Sequence, residues 1–458
     1  MHSGNKSRIL ILGGGFAGVY CARKLENLAR QKNIDAEISL VSRENYMVFT
    51  PMLPQVVSGM IETNHIVVPI RQILKNTTFY EANVESIDVR TKKVDLGLES
   101  DLHSNGSSPG RQVIERLTLP YDQLVISLGA DTNFMHMPHL EDVVFTLKNL
   151  KHAVILRNHI IDMLERADIE PNLEKRRLLL TFVVVGGGLS GVETAGELNS
   201  FLLEAAKYYP RIWKHSVEES PTRVFVVQSR ERILPELDAE LADFTMRQLR
   251  KEGVVVKLNC KVVDATKVSV TLLEKEGKEY VIPAKTVIWT AGISPNPVIA
   301  EVPCEKPSSG RLPVDKHLRV KGFDDVWALG DSAYIIDETS GNPYPATAQH
   351  AVREAHVVAR NIINTLVGDG LEEFEYCMSA QMASIGRRSA IVRIAGINVR
   401  GFLAWWLWRM IYLQKLPMFK KRLRVIFDWT IDIFFDRDLT HIRGFKENKI
   451  VRGDALSS

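Results

Sequence analysis

The chain reads as an α/β protein with two Rossmann-like dinucleotide-binding domains and a C-terminal amphipathic module. Three observations carry this. A short apolar run, Ile9 to Leu12, breaks into Gly13-x-Gly15-x-x-Gly18 and then a helix-favouring stretch. The same pattern returns about 170 residues later, where an apolar run ending at Val185 meets Gly186-x-Gly188-x-x-Gly191. From Gly386 onward the composition shifts, and four of the seven tryptophans (Trp405, Trp406, Trp408, Trp429) lie among arginines and lysines.

In the first unit, the strand Ile9 to Leu12 leads to a helix expected over Val19 to Arg30 and a second strand over Ala36 to Val41. Gly13 permits the tight turn, Gly15 the approach of a pyrophosphate, and Gly18 the packing of helix on strand, with phosphates at the helix N-terminus. An acidic residue is expected to take the adenosine ribose at the end of the second strand. Ser42 stands there instead, followed by Arg43 and Glu44, and the contact is open among these three. Phe49 to Pro54 reads as a proline-stiffened loop. Ile66 to Leu74 and strand-like segments over Thr78 to Val84 and Lys92 to Leu96 follow, then a polar surface excursion over Leu98 to Glu115. The strand Gln123 to Leu128 runs into a further turn at Gly129-Ala130.

The second unit opens with a helix over Lys148 to Ala167 and a strand over Leu178 to Val185, with a helix over Val192 to Ala206 behind the glycines. Its acidic position, after the strand Arg223 to Val227, holds Gln228, followed by Ser229, Arg230, Glu231 and Arg232. A neutral residue beside arginines admits a 2′-phosphate; equally, Gln228 bonds a ribose and the arginines face water. Val281 to Trp289 is a strand ending in Thr290-Ala291-Gly292, and Asp325 to Leu329 is another ending in Gly330-Asp331. A carboxylate at that strand end holds the hydroxyls of a sugar-alcohol chain, which points to a flavin, or caps the following turn.

Composition narrows the class. A chain of 458 residues, 45% hydrophobic and 25% charged, builds two or three domains. A net charge of +3 gives no ground for a nucleic-acid partner. The four cysteines (Cys21, Cys260, Cys304, Cys377) form no Cys-x-x-Cys pair and no metal-ligand spacing, so no metal site is expected and a reducing compartment fits. No stretch reaches the roughly 18 uncharged apolar residues of a spanning helix.

In the C-terminal module, Gly401 to Leu416 is apolar but interrupted by Arg409 and closed by Pro417. Leu423 to Asp438 is expected as an amphipathic helix, with Arg424, Asp428, Asp432 and Asp436 along one face and Leu423, Ile426, Phe427, Ile431, Phe434 and Phe435 over the rest. Such a stretch suits an interfacial helix in the headgroup region; a dimer interface or a packed core helix are the alternatives.

The order of Gly13-x-Gly15-x-x-Gly18, Gly186-x-Gly188-x-x-Gly191, Thr290-Ala291-Gly292 and Leu329-Gly330-Asp331 resembles the two-dinucleotide-domain flavoproteins of the pyridine nucleotide-disulfide oxidoreductase superfamily. The redox-active cysteine pair is missing. Phe49-Thr50-Pro51-Met52-Leu53-Pro54-Gln55, Thr181 to Glu193, and Ala348-Gln349-His350-Ala351 resemble one branch, the type II (alternative, non-proton-pumping) NADH:quinone dehydrogenases. Of that branch's Ala-Gln-x-Ala-x-Gln-x-Gly quinone motif, Arg353 and Ala355 replace Gln and Gly.

The resemblance implies hydride transfer from NADH or NADPH to FAD and then two electrons to a membrane quinone, by a homodimer peripheral to the cytoplasmic face of the cell membrane. Its domain scheme is 1–145 and 301–380 for FAD, 146–300 for NAD(P)H, and 381–458 for membrane association, with residues 400–438 on the lipid surface. FAD would be held by Gly13, Gly15, Phe16, Ala17, Gly18, Ser42, Arg43, Glu44, Thr50, Pro51, Val84, Gly129, Gly330, Asp331, Ala348 and Gln349. The nicotinamide nucleotide would lie on Gly186, Gly188, Leu189, Ser190, Gly191, Glu193, Gln228, Arg230, Ala291 and Gly292. The quinone would meet Leu53, Pro54, Gln349, Ala351 and Arg353. Glu193 and Gln349 are the expected catalytic residues; Glu193 positions the nicotinamide, delivers a proton, or caps its helix. A soluble NAD(P)H-dependent flavin reductase serving a small redox protein, or a flavin-binding redox-signalling protein, are the alternatives.

Overall fold

A computed structural model describes residues 6–100, 112–214, 221–376 and 380–441. The helices that carry the functional residues are α1 (Phe16–Lys32), α2 (Leu53–Val57), α3 (Leu150–Ile169), α4 (Leu189–Ala205), α5 (Ala348–Val367), α6 (Phe402–Lys415) and α7 (Phe419–Phe434).

The chain forms two compact units. The first comprises residues 1–48, 67–131 and 293–378, and the second 49–66, 132–292 and 379–458. Residues 49–66 and the C-terminal module both belong to the unit with the second glycine motif.

In the first unit five parallel strands lie in the order Val326–Ala328, Gln123–Ile126, Ser7–Leu12, Ala36–Ser42, Thr77–Glu81. The central strand is buried from Ile9 to Leu12, because a parallel sheet is covered on both faces. In the second unit the order is Phe145–Thr146, Thr286–Trp289, Thr181–Val185, Arg223–Val227, Val255–Lys257, again parallel, with Thr181–Val185 wholly buried. Each glycine motif follows the middle strand of its sheet, where ligands bind in such folds.

Several elements differ from the sequence reading. The first helix begins at Phe16, a turn earlier than Val19, because Gly15 is its N-cap. Leu178 and Leu179 end a short helix, Leu173–Leu179, so the second unit's central strand starts at Thr181. The single strand expected over Val281 to Trp289 is two: Glu279–Pro283 closes an antiparallel meander, and Thr286–Trp289 enters the parallel sheet. Part of the expected surface excursion is a strand pairing, Lys93–Ser100 with Gln112–Pro120; its centre, 101–111, lies outside the described residues. The Phe49 to Pro54 loop is a helical turn, Thr50–Met52, running into α2.

The C-terminal part is an antiparallel sheet, Ala380–Ser384, Ala390–Ile394 and Ile397–Gly401, followed by α6 and α7. Helix α7 spans Phe419–Phe434, not Leu423 to Asp438, so Asp436 lies beyond it. Its inward side sets shielded acids beside the buried Val425 and Trp429, while much of its outward side is apolar. The Asp428 and Asp432 side chains are only 10% and 13% exposed and pair with His65 at 2.6 Å and Arg437 at 3.0 Å. Phe427 and Phe434 are 65% and 76% exposed, joined by Ile426 and Ile431, and by Phe402, Leu403 and Trp406 of α6. Among the described residues no helix is long and apolar enough to cross a membrane.

Candidate active site

The two glycine turns are built alike. Gly13 and Gly186 each have φ +110°, a backbone state open to glycine, and donate their N–H to Val41 and Val227 at 2.8 and 2.9 Å. A Cβ on Gly18 would stand 1.9 Å from the Gly13 carbonyl, and one on Gly191 1.8 Å from that of Gly186, so each helix presses against its own turn. By contrast, nothing lies within 4 Å of a Cβ on Gly15 or Gly188. These are the N-caps of α1 and α4, and neither helix has an acidic residue in its first turn or a capping side chain. The N–H groups and the positive helix end therefore face open space, which fits a pyrophosphate. A hydroxyl braces each turn: Ser127 donates to Leu12 and Thr290 to Val185, both at 2.8 Å.

Around the first turn, the Ser42 hydroxyl packs against Gly14, at 2.4 Å from where a Cβ would be, while Glu44 and Arg43 are loosely paired at 3.9 Å. Ser42 thus packs on the turn itself, with the Arg43 and Glu44 side chains beside it. Phe16 stacks on Tyr20, Ala17 is buried against Gly330, and Val84 packs on the core of this unit. Gly330 and Asp331 open a one-turn helix, Gly330–Ser332, whose N-cap is Leu329, so Asp331 is not its cap. The Ser332 hydroxyl reaches the Gly129 carbonyl at 3.4 Å. Thr50 and Pro51 lie in the other unit.

Glu354 escaped the sequence reading. Its carboxyl is buried and accepts the Gly330 N–H at 2.6 Å, and burial pushes its pKa up to about 7. It stands amid alanines on the face of α5 that the packing buries. Ala348 opens that helix, and Ala351 is buried and packs beneath Gly330. Gln349 accepts a bond from the Tyr376 hydroxyl at 3.3 Å, and Arg353 lies over the same ring at 5.6 Å. Of the quinone candidates, these three belong to the first unit, whereas Leu53 and Pro54 are buried in α2 of the second.

Around the second turn, Gln228 is buried. Its oxygen meets the Gly187 N–H at 3.4 Å and its amide donates to the Arg232 carbonyl at 3.2 Å, so its side chain is tied to the turn. Arg232 is also turned inward, bonding the Pro235 and Leu237 carbonyls at 3.0 and 3.3 Å. Arg230 and Glu231 remain exposed. Leu189 and Ser190 form the first turn of α4, and Gly292, with φ +71°, closes against Met135 and Asn133, next to Ala291.

Glu193 is not a cap. It stands in the second turn of α4, buried, and accepts the Ser384 N–H at 3.1 Å. Burial pushes its pKa up to about 8; the Ser384 N–H and the nearby Trp408 indole offset this only in part, and Glu197 adds to it. The Trp408 N–H makes no well-aligned hydrogen bond. Trp408 lies 4.5 Å from the Tyr412 ring, which meets Phe49 edge-on at 5.9 Å. The geometry depends on glycine: a Cβ on Gly196 would stand 2.6 Å from the Gly386 N, so α4 and the 385–388 turn touch backbone to backbone. That contact brings Ser384 to Glu193, and the sequence gives no sign of it.

Among the described residues no cluster of His, Cys, Asp and Glu forms a metal site. Cys21 and Cys260 are buried, and Cys377 lies outside the described residues.

A pyridine nucleotide-disulphide oxidoreductase family model matches residues 7–355, and an NDH2 C-terminal domain model matches 380–438. The chain is 28% identical to the type II NADH:quinone oxidoreductase Ndh of Mycobacterium tuberculosis, over 94% of this chain and 89% of that protein. It is 30% identical to the demethylphylloquinone reductase NdbB of a Synechocystis strain, over 93% and 96%. The structure of NDH2 from Plasmodium falciparum in complex with NADH superposes with a TM-score of 0.83 at 20% identity, covering 95% of this chain and all of that one. With one model spanning most of its length and the other its C-terminal module, the chain belongs to the pyridine nucleotide-disulphide oxidoreductase family, in the type II NADH:quinone oxidoreductase branch.

Proposed function

We propose that the protein oxidises NADH and reduces a quinone dissolved in the bilayer, without pumping protons, while resting on the cytoplasmic face of the membrane. FAD supplies the redox chemistry, accepting hydride and releasing two electrons. The α1 turn, Glu44 and the Gly330–Asp331 turn, with Glu354 beneath, are the residues we assign to holding it. The α4 turn is assigned to NADH. Arg230 is followed in sequence by the acidic Glu231, and Arg232 is spent on carbonyls, which favours NADH over its 2′-phosphorylated form.

Glu193 is assigned the proton for the quinone. A carboxyl titrating at about 8 is protonated at neutral pH and gives up its proton without a large penalty. Trp408, Tyr412 and Phe49 surround that part of the second unit with aromatic rings, which exclude water and suit a flat apolar acceptor. Gln349 is retained as a positioning residue in the first unit.

One observation carries the quinone reading. The module whose inner side closes over Glu193 turns an apolar outer side, Phe402, Trp406, Phe427 and Phe434, to its surroundings. A soluble reductase serving a small redox protein has no use for that face. The working assembly is a homodimer, checked by light scattering in detergent.

Stopped-flow absorbance of the flavin tests the reading. NADH should bleach it, and a short-chain quinone should restore it, faster in the presence of lipid vesicles when the quinone is long-chained. Bleaching without reoxidation by any quinone would refute the proposal and direct attention to a protein acceptor.

A further inference from the structure

The polar groups beneath the C-terminal module extend past Glu193. Glu193 and Glu197 lie four residues apart on one face of α4, both buried. Ser384 joins them: its N–H donates to Glu193 at 3.1 Å and its hydroxyl to Glu197 at 3.2 Å. The other Glu197 oxygen accepts from the Ser58 hydroxyl at 3.4 Å and lies 3.7 Å from the Arg437 guanidinium. Arg437 is held by Asp432 at 3.0 Å, and its backbone N–H donates to Glu204 at 2.7 Å. Glu204 in turn lies 3.9 Å from Arg387, whose side chain is half in solvent. Arg409 stands beside Asp432 at 3.9 Å. A run of polar groups thus leads from Glu193 to the surface at Arg387.

Two features separate this run from a plain structural ion pair. Arg437 stands against Glu197, while no ion pair among the described residues reaches Glu193; two buried carboxyls this close hold at least one proton between them. The buried Arg409 Nε and Arg437 Nη1 meet no acceptor among the described residues, and buried donors of this kind pair with internal water.

We propose that Glu197 is the internal proton donor to Glu193. The proposal rests on the quinone-reducing reading above. NADH brings two electrons and one proton as hydride, and reduction of a quinone to its quinol takes two electrons and two protons, so one proton per turnover comes from solution. Glu193 gives its carboxyl proton to a quinone oxygen. Glu197 then passes its own proton to the Glu193 carboxylate by way of the Ser384 hydroxyl and internal water. The transient Glu197 carboxylate is stabilised by Arg437 and refilled from solution on the Arg387 side. Burial raises the affinity of both carboxyls for protons, as storage requires.

The test uses the FAD-loaded full chain. Glu197→Gln should leave flavin reduction by NADH at the wild-type rate and slow reoxidation by a short-chain quinone about 10- to 100-fold, with a larger solvent isotope effect. Time-resolved infrared spectroscopy should show the protonated-carboxyl band that is lost on reoxidation recovering correspondingly slowly. Wild-type recovery and reoxidation in folded Glu197→Gln would overturn the proposal. If that variant does not fold, Ser384→Ala, which keeps the backbone N–H to Glu193, must slow the same recovery, and an unchanged rate there overturns it equally. Failure of the wild type to be reoxidised by any quinone would defeat the functional reading and this proposal with it. Loss of reoxidation in Glu193→Gln alone would defeat only the role of Glu197.

Discussion

Replacing Gly188 by alanine separates the fold of the second nucleotide turn from its purpose. Gly188 has φ −78° and ψ −174°, which alanine adopts freely, and nothing lies within 4 Å of the added methyl. The folded chain therefore loses only the small N-cap difference between glycine and alanine, under about 1 kcal/mol. The same methyl occupies the space over the α4 N-terminus that the pyrophosphate needs, and pushing the phosphates away weakens binding by about 1.5–3 kcal/mol, a KM for NADH raised about 10- to 100-fold. Gly191→Ala is the control of opposite kind. Its methyl would lie 1.8 Å from the Gly186 carbonyl and 2.8 Å from the Thr290 hydroxyl, so the helix must move and thermal stability must fall by about 1–3 kcal/mol or more. The assay pairs calorimetric unfolding of the FAD-loaded protein with an NADH titration of flavin bleaching. An unchanged NADH titration in Gly188→Ala would refute the assignment of this turn to the nucleotide.

Three further outcomes follow from the same structure. Glu193 carries a folded pKa of about 8 against an ordinary 4.5, so it contributes stability that is complete below 4.5 and lost as pH rises through 8; denaturant unfolding from pH 5 to 9 should show a shallower decline in Glu193→Gln, and parallel curves would contradict the buried acid. Arg437→Met leaves Glu197 and Asp432 without their shared cation and should cost about 3–5 kcal/mol of thermal stability, partly restored by adding Glu197→Gln. Phe427→Glu with Phe434→Glu, both at exposed positions, should leave unfolding within about 0.5 kcal/mol of wild type and abolish co-sedimentation with vesicles; retained vesicle binding would place the membrane contact elsewhere.

The glycine turns were legible because their requirements are local: strand, positive φ, helix and open N-terminus all lie within about a dozen residues. Gly13 and Gly186 needed no long-range knowledge. The roles of Gln228 and Ser42 were not legible, since whether a polar side chain at a strand end faces a ligand or its own turn depends on neighbours such as Gly187 and Gly14. Glu354 and Glu197 were overlooked for a related reason. Acids inside amphipathic helices read as solvent-facing until the packing partner is known, and their partners, Gly330 and Arg437, are 24 and 240 residues away. The amphipathic period of α7 was visible, but the sequence does not say which face turns inward; His65, Arg409 and Arg437 decide that.

The two sides of α7 have a consequence for how the protein is kept in place. Because α7 is fastened to the rest of its unit by shielded charges together with the buried Val425 and Trp429, lipid has no competing claim on the fastening, and salt has little access to it. The outward rings are left to a separate task. On the proposed membrane contact, exchanging one aromatic for another there would adjust residence time on the bilayer without disturbing the enzyme beneath, whereas a change to the inner acids loosens the helix however firmly the rings hold. Adhesion and integrity are written on opposite sides of one helix, free to vary independently.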